Sequence, residues 1–226
     1  LVAAIRLPIA TATSGSAWEA LRRQRGKYGQ EIAFVFRHPG ILATSGIEAV
    51  QYFAYGSLET FMPIYLNEKL GYPAWKIGIL FTAQILAATL TKPVMGRLSD
   101  RYGRIPMIVA GLALGGITTA IMILSSNYLV IIVLMAIFGL GLATTTASTA
   151  ALVADFSRSQ GRGSALGILS GIMDIGHSSG PMVAGVLIGV YSYRMAFVMV
   201  GIGLILVSLI YGIGMRRIAS HSRASE

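Results

Sequence analysis

Gly96–Arg97–Leu98–Ser99–Asp100–Arg101–Tyr102–Gly103–Arg104 sets three arginines and one aspartate between two long apolar runs, with a glycine near each end. So much charge in nine residues cannot lie in hydrocarbon. The stretch predicts a tight polar loop on one membrane face, and that fixes the topology on either side of it. Composition agrees. The 226 residues are 54% hydrophobic and 12% charged, with no cysteine. A soluble domain of this length would carry about twice that charged fraction. The class is membrane protein. The formal net charge of +9 reads as a positive-inside bias and not as a nucleic-acid surface.

Outward from this loop, six apolar stretches of about 19 to 27 residues can each cross a core of about 30 Å. They cover residues 41–66, 77–95, 105–124, 128–154, 164–190 and 195–215. The intervening loops are short, and open sheets cannot face lipid, so the expected fold is an all-α bundle of six transmembrane helices. Residues 1–10 are apolar but interrupted by Arg6 and Pro8, and are expected to be the end of a preceding transmembrane helix. Residues 11–40 form a basic linker. In it Trp18, Leu21, Arg25, Tyr28 and Ile32 recur at helical spacing, so it reads either as a flexible linker or as a helix lying on the headgroups. Residues 216–226 are expected to be a tail. The chain opens on Leu1 with no basic n-region and no cleavage site, so no signal peptide is expected and the sequence is expected to continue upstream.

Orientation follows from the bases. Arg22, Arg23, Arg25, Lys27 and Arg37 fall on one side with Arg97, Arg101, Arg104, Arg158, Arg162, Arg216, Arg217 and Arg223. Lys69, Lys76 and Arg194 fall on the other. The excess places both termini and the opening loop in the cytoplasm, with the cell (inner) membrane as the expected location.

Polar groups inside the spans mark where function would lie. Glu48, Gln51, Tyr52, Tyr55 and Glu59 recur at i, i+3, i+4, i+7 and i+11, and share an arc of roughly 100°. A carboxylate facing lipid would cost about 2.5 kcal/mol or more, so the stripe must face protein or water. It predicts a helix lining a substrate path, with Glu59 or Glu48 able to bind a proton or cation. The alternative is two carboxylates near opposite interfaces, each paired with a base. In the fifth span Asp174 and His177 lie three apart, close enough to touch. They suit either a proton-responsive pair or a fixed hydrogen bond. Thr145, Ser148 and Thr149 share a face of the fourth span, although hydroxyls there can bond their own backbone. Glycines spaced by four (Gly111 and Gly115; Gly163, Gly167 and Gly171; Gly176 and Gly180; Gly185 and Gly189) let helices approach closely. No metal-ligand cluster, Walker-type glycine loop or nucleophile motif is visible. No cofactor, no metal and no enzymatic activity is expected.

The pattern Gly96-x-Leu98-x-Asp100-Arg101-x-Gly103-Arg104, following the second of six spans, resembles the signature loop of the major facilitator superfamily. That family comprises secondary transporters of twelve helices in two six-helix halves, and its loop follows the second helix of each half. Two further stretches are similar to it: Asp174 through Gly180–Pro181 to Gly185, like the family's fifth-helix pattern, and Ala151 through Asp155, like the acidic end of the fourth. The amino-terminal half commonly carries an arginine in its fourth helix. Met135, Ala136 and Ile137 occupy that neighbourhood here. With the basic linker, this favours the carboxy-terminal half.

The resemblance implies proton-coupled transport of a small organic solute by alternating access, with export preferred to uptake. The partners would be membrane lipid, the solute, a proton, and either the amino-terminal half or a second copy of this chain. No nucleic acid is expected. The substrate or proton path would comprise Glu48, Gln51, Tyr52, Tyr55, Glu59, Thr145, Ser148, Asp174 and His177. In a conformational latch, Asp100 would reach the start of the fifth span, where a helix amino-terminus stabilises a carboxylate. Arg101 and Arg104 would reach Asp155, and Gly96 and Gly103 would allow the tight backbone. Two alternatives stay open: a scaffold or accessory subunit of the same fold that transports nothing, and arginines that only anchor to headgroups.

Overall fold

A computed structural model describes residues 31–157 and 161–224, and they are helical throughout apart from short connections. Six long helices follow one another: α1 (Pro39–Glu68), α2 (Ala74–Tyr102), α3 (Arg104–Met122), α4 (Tyr128–Phe156), α5 (Arg162–Val190) and α6 (Tyr193–Ala224). Five of the six predicted spans fall inside one of them, and the span at 105–124 overruns α3 by two residues. Residues 216–224, expected as a tail, continue α6. The expected helix end over 1–10 lies outside the described residues, as do Trp18, Leu21, Arg25 and Tyr28. Residues 31–37, which include Ile32, are helical.

Local chemistry sets the ends. His38 caps α1, its Nδ1 accepting from the Ile41 N–H at 3.3 Å, with Pro39 at the first helical turn. Proline suits that position, where its missing N–H has no partner to lose. Asn127 caps α4, its Oδ1 accepting from the Leu129 N–H at 2.9 Å.

The predicted polar loop is corrected. Residues 96–102 are the last turns of α2, and one residue, Gly103, separates α2 from α3, at φ 96° and ψ 146°. Gly96 is helical with open space around it. At about 1.5 Å per residue a 29-residue helix is roughly 44 Å long, longer than the hydrocarbon is thick. The charged end of α2 therefore projects past the bilayer, where arginine costs nothing and favours helix. A break is needed only at the reversal itself, and a positive φ assigns it to glycine.

α4 is the most buried of the four helices that are long and apolar enough to cross a membrane: α2, α3, α4 and residues 193–215 of α6. α1 and α5 are equally long, but their apolarity is diluted by the polar groups already noted. α1 lies along α5 and α2 along α4, each pair running the same way, while α3 runs against α4 and α6. Thus the first helix of each three-helix set packs on the second helix of the other. One apolar core lies at the α1 carboxyl end (Leu58, Met62, Leu80, Met135, Phe138), and a second near the Gly103 end (Ile47, Ile108, Leu112, Leu204).

Candidate functional site

The seam between α1 and α5 is built by glycine. A Cβ on Gly176 would run into the main chain of Ala49, one on Gly180 into the carbonyl of Phe53, and one on Gly56 into the carbonyl of His177. The two backbones are therefore almost in contact, and side chains from both helices converge on one side of the seam. Gly111 and Gly116 serve α3 in the same way, against α4 and α6. Gly163, Gly167, Gly171 and Gly189 face open space.

The seam brings His177 to Glu59. Nε2 of the imidazole lies 3.0 Å from Oε2 of the carboxylate. The expected contact of His177 with Asp174 is thus replaced by one across helices, because the glycine seam leaves Glu59 within direct reach. Both side chains are roughly half-exposed. Two tyrosines close around them: the Tyr55 ring centroid is 5.5 Å from His177, and Tyr52 is edge-on to both Tyr55 (5.8 Å) and His177 (6.2 Å). Phe138 of α4 stacks on Tyr55 at 6.4 Å. Asp174 is exposed on α5, about a turn from His177.

The polar stripe of α1 splits in two. Tyr52, Tyr55 and Glu59 join His177 at the half-exposed site, whereas Glu48 and Gln51 are buried. Oε2 of Glu48 lies 2.6 Å from the Thr149 hydroxyl, which also lies 3.0 Å from the Thr145 carbonyl. One hydroxyl proton can serve one acceptor at a time, so the Glu48 contact competes with the helix backbone. The Gln51 amide is packed beside Gly115 of α3. Both its ends, and the Ser148 hydroxyl, are buried without a hydrogen-bond partner among the described residues. Thr145 and Ser148 are fully buried, and Thr145 bonds back to the Gly141 carbonyl at 3.1 Å. These two do not reach the half-exposed site.

At the Gly103 end, Arg104 joins two acids. It pairs with Asp100 one turn earlier at 2.5 Å, and its Nε lies 3.3 Å from Asp155 at the end of α4. The expected Arg104–Asp155 contact is present. Two other expectations are corrected. Arg101 is exposed, with its guanidinium 5.7 Å from the neighbouring Tyr102 ring. Asp100 turns to Arg104, and the acid at the start of α5 is Glu31, whose Oε2 accepts from the Ser164 hydroxyl at 2.6 Å. A carboxylate from the segment before α1 thus takes the helix-terminus position. Val35 of the same segment is buried with Ile41, Val153 and Ala165, which holds it there.

Sequence reasoning missed the Glu59–His177 pair and the part played by Glu31. The first had a readable signal in Gly56 on one helix and Gly176 with Gly180 on another, which are complementary small surfaces.

The chain was compared with known proteins. The family model described as Major Facilitator Superfamily matches residues 44–225. The multi-drug resistance efflux pump PmrA of Streptococcus pneumoniae is 32% identical over 155 residues, which is 66% of this chain and 38% of PmrA. The quinolone resistance protein NorA of Staphylococcus aureus is 29% identical over 140 residues, 62% of this chain and 36% of NorA. The probable transporter AQR1 of Saccharomyces cerevisiae is 29% identical over 127 residues, 56% of this chain and 22% of AQR1. The matches therefore span little more than a third of each bacterial relative. With the motif at Gly96–Arg104 and a family match across most of its length, the chain is an integral multi-pass membrane protein that belongs to the major facilitator superfamily.

Proposed function

We propose that this chain is the carboxy-terminal six-helix half of a secondary transporter that exports a small organic solute in exchange for protons. The observation that carries this reading is the Glu59–His177 pair framed by Tyr52 and Tyr55, half-exposed between two helices embedded in an apolar bundle. A carboxylate and an imidazole in contact can take up and release one proton between them. The tyrosines offer a solute both ring faces and hydroxyls. A scaffold would need neither. Export, rather than uptake, is supported by the likeness to PmrA, named an efflux pump, and NorA, named a resistance protein. On this reading the α1–α5 site faces the amino-terminal half, or a second copy, across a central path, and two bundles rock around it. The basic excess at the Gly103 end makes that end, and both termini, cytoplasmic.

In the same reading, Arg104 with Asp100 and Asp155 latches the cytoplasmic ends of α2, α3 and α4 in one conformation. These groups are partly exposed, so the cluster is worth about 1 kcal/mol at most. Arg104→Gln should change the ratio of cytoplasm-closed to cytoplasm-open molecules by about two- to fivefold, read from spin-label distances across the cytoplasmic ends of the full-length protein. Arg101→Gln should leave the ratio unchanged. Equal populations in the wild type and Arg104→Gln would remove the latch.

The function itself is tested by moving a panel of small organic solutes across vesicles that hold the full-length protein, with a proton gradient imposed and then collapsed. At least one solute should move uphill only while the gradient stands. A wide panel with no gradient-dependent movement would overturn the reading.

A further inference from the structure

Among the described residues, three bases lie at the end of the bundle opposite Gly103, and they are used differently. The Lys76 ammonium lies 5.6 to 5.8 Å from the ring centroids of Tyr72, Trp75 and Tyr128, a cation–π setting that holds it in place. Lys69 and Arg194 instead converge on one cleft of about 260 Å³, with Tyr65, Leu70, Ser192 and Tyr193 as its other walls. Among the described residues neither cation has a carboxylate within 4.0 Å, the limit for the ion pairs found elsewhere in the bundle. Glu68 adjoins Lys69 in sequence but does not line the cleft. The Tyr65 hydroxyl donates to the Ile123 carbonyl, while the Ser192 oxygen accepts from the Met195 N–H and keeps its own proton to donate. The side-chain donors left are the ammonium, the guanidinium and the Ser192 and Tyr193 hydroxyls, so the cleft suits a compact anion.

A second cavity, of about 540 Å³, lies between α1, α5 and α6. Phe53 of α1, Ile175 and Leu187 of α5, and Met199, Gly203 and Val207 of α6 line it, and its walls are almost wholly apolar. Ile175 and Met199 are also exposed at the bundle surface, so the groove is open along that face. Arg194 and Met199 stand five positions apart on α6. That is about 7.5 Å along a helix. Along α5 the lining runs from Ile172 to Leu187, or about 22 Å. An acyl chain of one leaflet needs about 15 Å, half of a core of about 30 Å.

We infer that α1, α5 and α6 form a binding site for an anionic phospholipid of the leaflet opposite the Gly103 connection. Its phosphate is held by Lys69 and Arg194, and one acyl chain lies in the groove along Gly203. Two independent features meet in this assignment. The basic cleft sits at headgroup depth, and the apolar groove below it opens where lipid is the solvent. The assignment rests on membrane placement and needs no transport activity, so the two proposals fail separately.

The test uses the full-length protein in detergent. Phosphatidylglycerol is titrated in, and bound lipid is counted by native mass spectrometry. The wild type should bind phosphatidylglycerol more tightly than phosphatidylcholine. Lys69→Gln with Arg194→Gln should weaken phosphatidylglycerol about 30-fold, at roughly fivefold per base. Gly203→Phe should weaken both lipids, since a side chain there meets nothing within 4 Å and projects into free space. Unchanged phosphatidylglycerol affinity in the double variant would overturn the assignment, whatever Gly203→Phe does. So would competition by soluble glycerol phosphate at the same concentration as the lipid, because the site would then hold a free phosphate.

Discussion

Gly176→Ala will destabilise the full-length protein by about 1 to 3 kcal/mol, whereas Gly214→Ala will leave it unchanged or stabilise it by up to about 1 kcal/mol. Both residues are helical glycines in an apolar chain, and propensity alone predicts the same small gain for both. What separates them is the neighbour. A methyl group on Gly176 would overlap the carbonyl and Cα of Ala49, whereas one on Gly214 meets nothing within 4 Å. The obstruction at Gly176 is main chain, so it cannot rotate away and α1 must move as a unit. Gly180 against Phe53 and Gly56 against His177 repeat the constraint along the same seam, so relief at one point strains the others. Moving α1 outward also separates Glu59 from His177, which are now 3.0 Å apart. Folded yield and thermal unfolding in detergent check the prediction. Equal behaviour of the two variants would show that the seam is not tight.

Glu59→Gln will reduce gradient-driven export by about tenfold or more, within the usual range of coupling between two ligand sites. Glutamine has nearly the shape of glutamate and can still bond His177 through its amide, but it cannot bind or release a proton. The packing of α1 on α5 is kept, and the exchangeable proton is lost. Downhill movement of the same solute, measured with no gradient, should therefore persist. Comparing the two modes separates a coupling residue from a structural one. Equal loss of both would make Glu59 part of the scaffold, and no loss of either would remove it from the mechanism.

The helices themselves were legible from residue chemistry. Apolar length and the polar interruptions place all six, to within a few residues at most ends. The opening motif announced the family but misled about its own shape. Charge density read as a loop, yet nothing in Arg97 to Tyr102 opposes helix once the chain has left hydrocarbon, and Gly103 alone carries the reversal. Along one helix, 3.6-residue periodicity correctly gathered Tyr52, Tyr55 and Glu59. It could not show that Glu48 and Gln51 turn inward to α4 and α3, because an arc of 100° is wide enough to reach two different neighbours. Partners across helices stayed hidden unless a motif position pointed to them. Asp174 was the nearest polar group to His177 in sequence, and Glu59 the nearest in space. Likewise Asp155 was found for Arg104 at a separation of 51 residues because its motif position pointed there, while Glu31 for Ser164, at 133, had no such pointer.

On the proposed reading, Tyr52, Tyr55, Glu59 and His177 line an aqueous path. The chain has no cysteine, so a single introduced thiol reports its own surroundings once any cysteines elsewhere in the full-length protein have been replaced. A thiol reacts as its thiolate, which needs water. Tyr52→Cys, at the site, and Leu206→Cys, exposed on the outer face of α6, are treated with a charged, membrane-impermeant maleimide in intact vesicles, with and without a transported solute. Tyr52→Cys should be labelled much faster than Leu206→Cys and should be slowed by the solute. Labelling at Tyr52→Cys no faster than at Leu206→Cys, in vesicles of either orientation, would show that Tyr52 does not line a water-filled path.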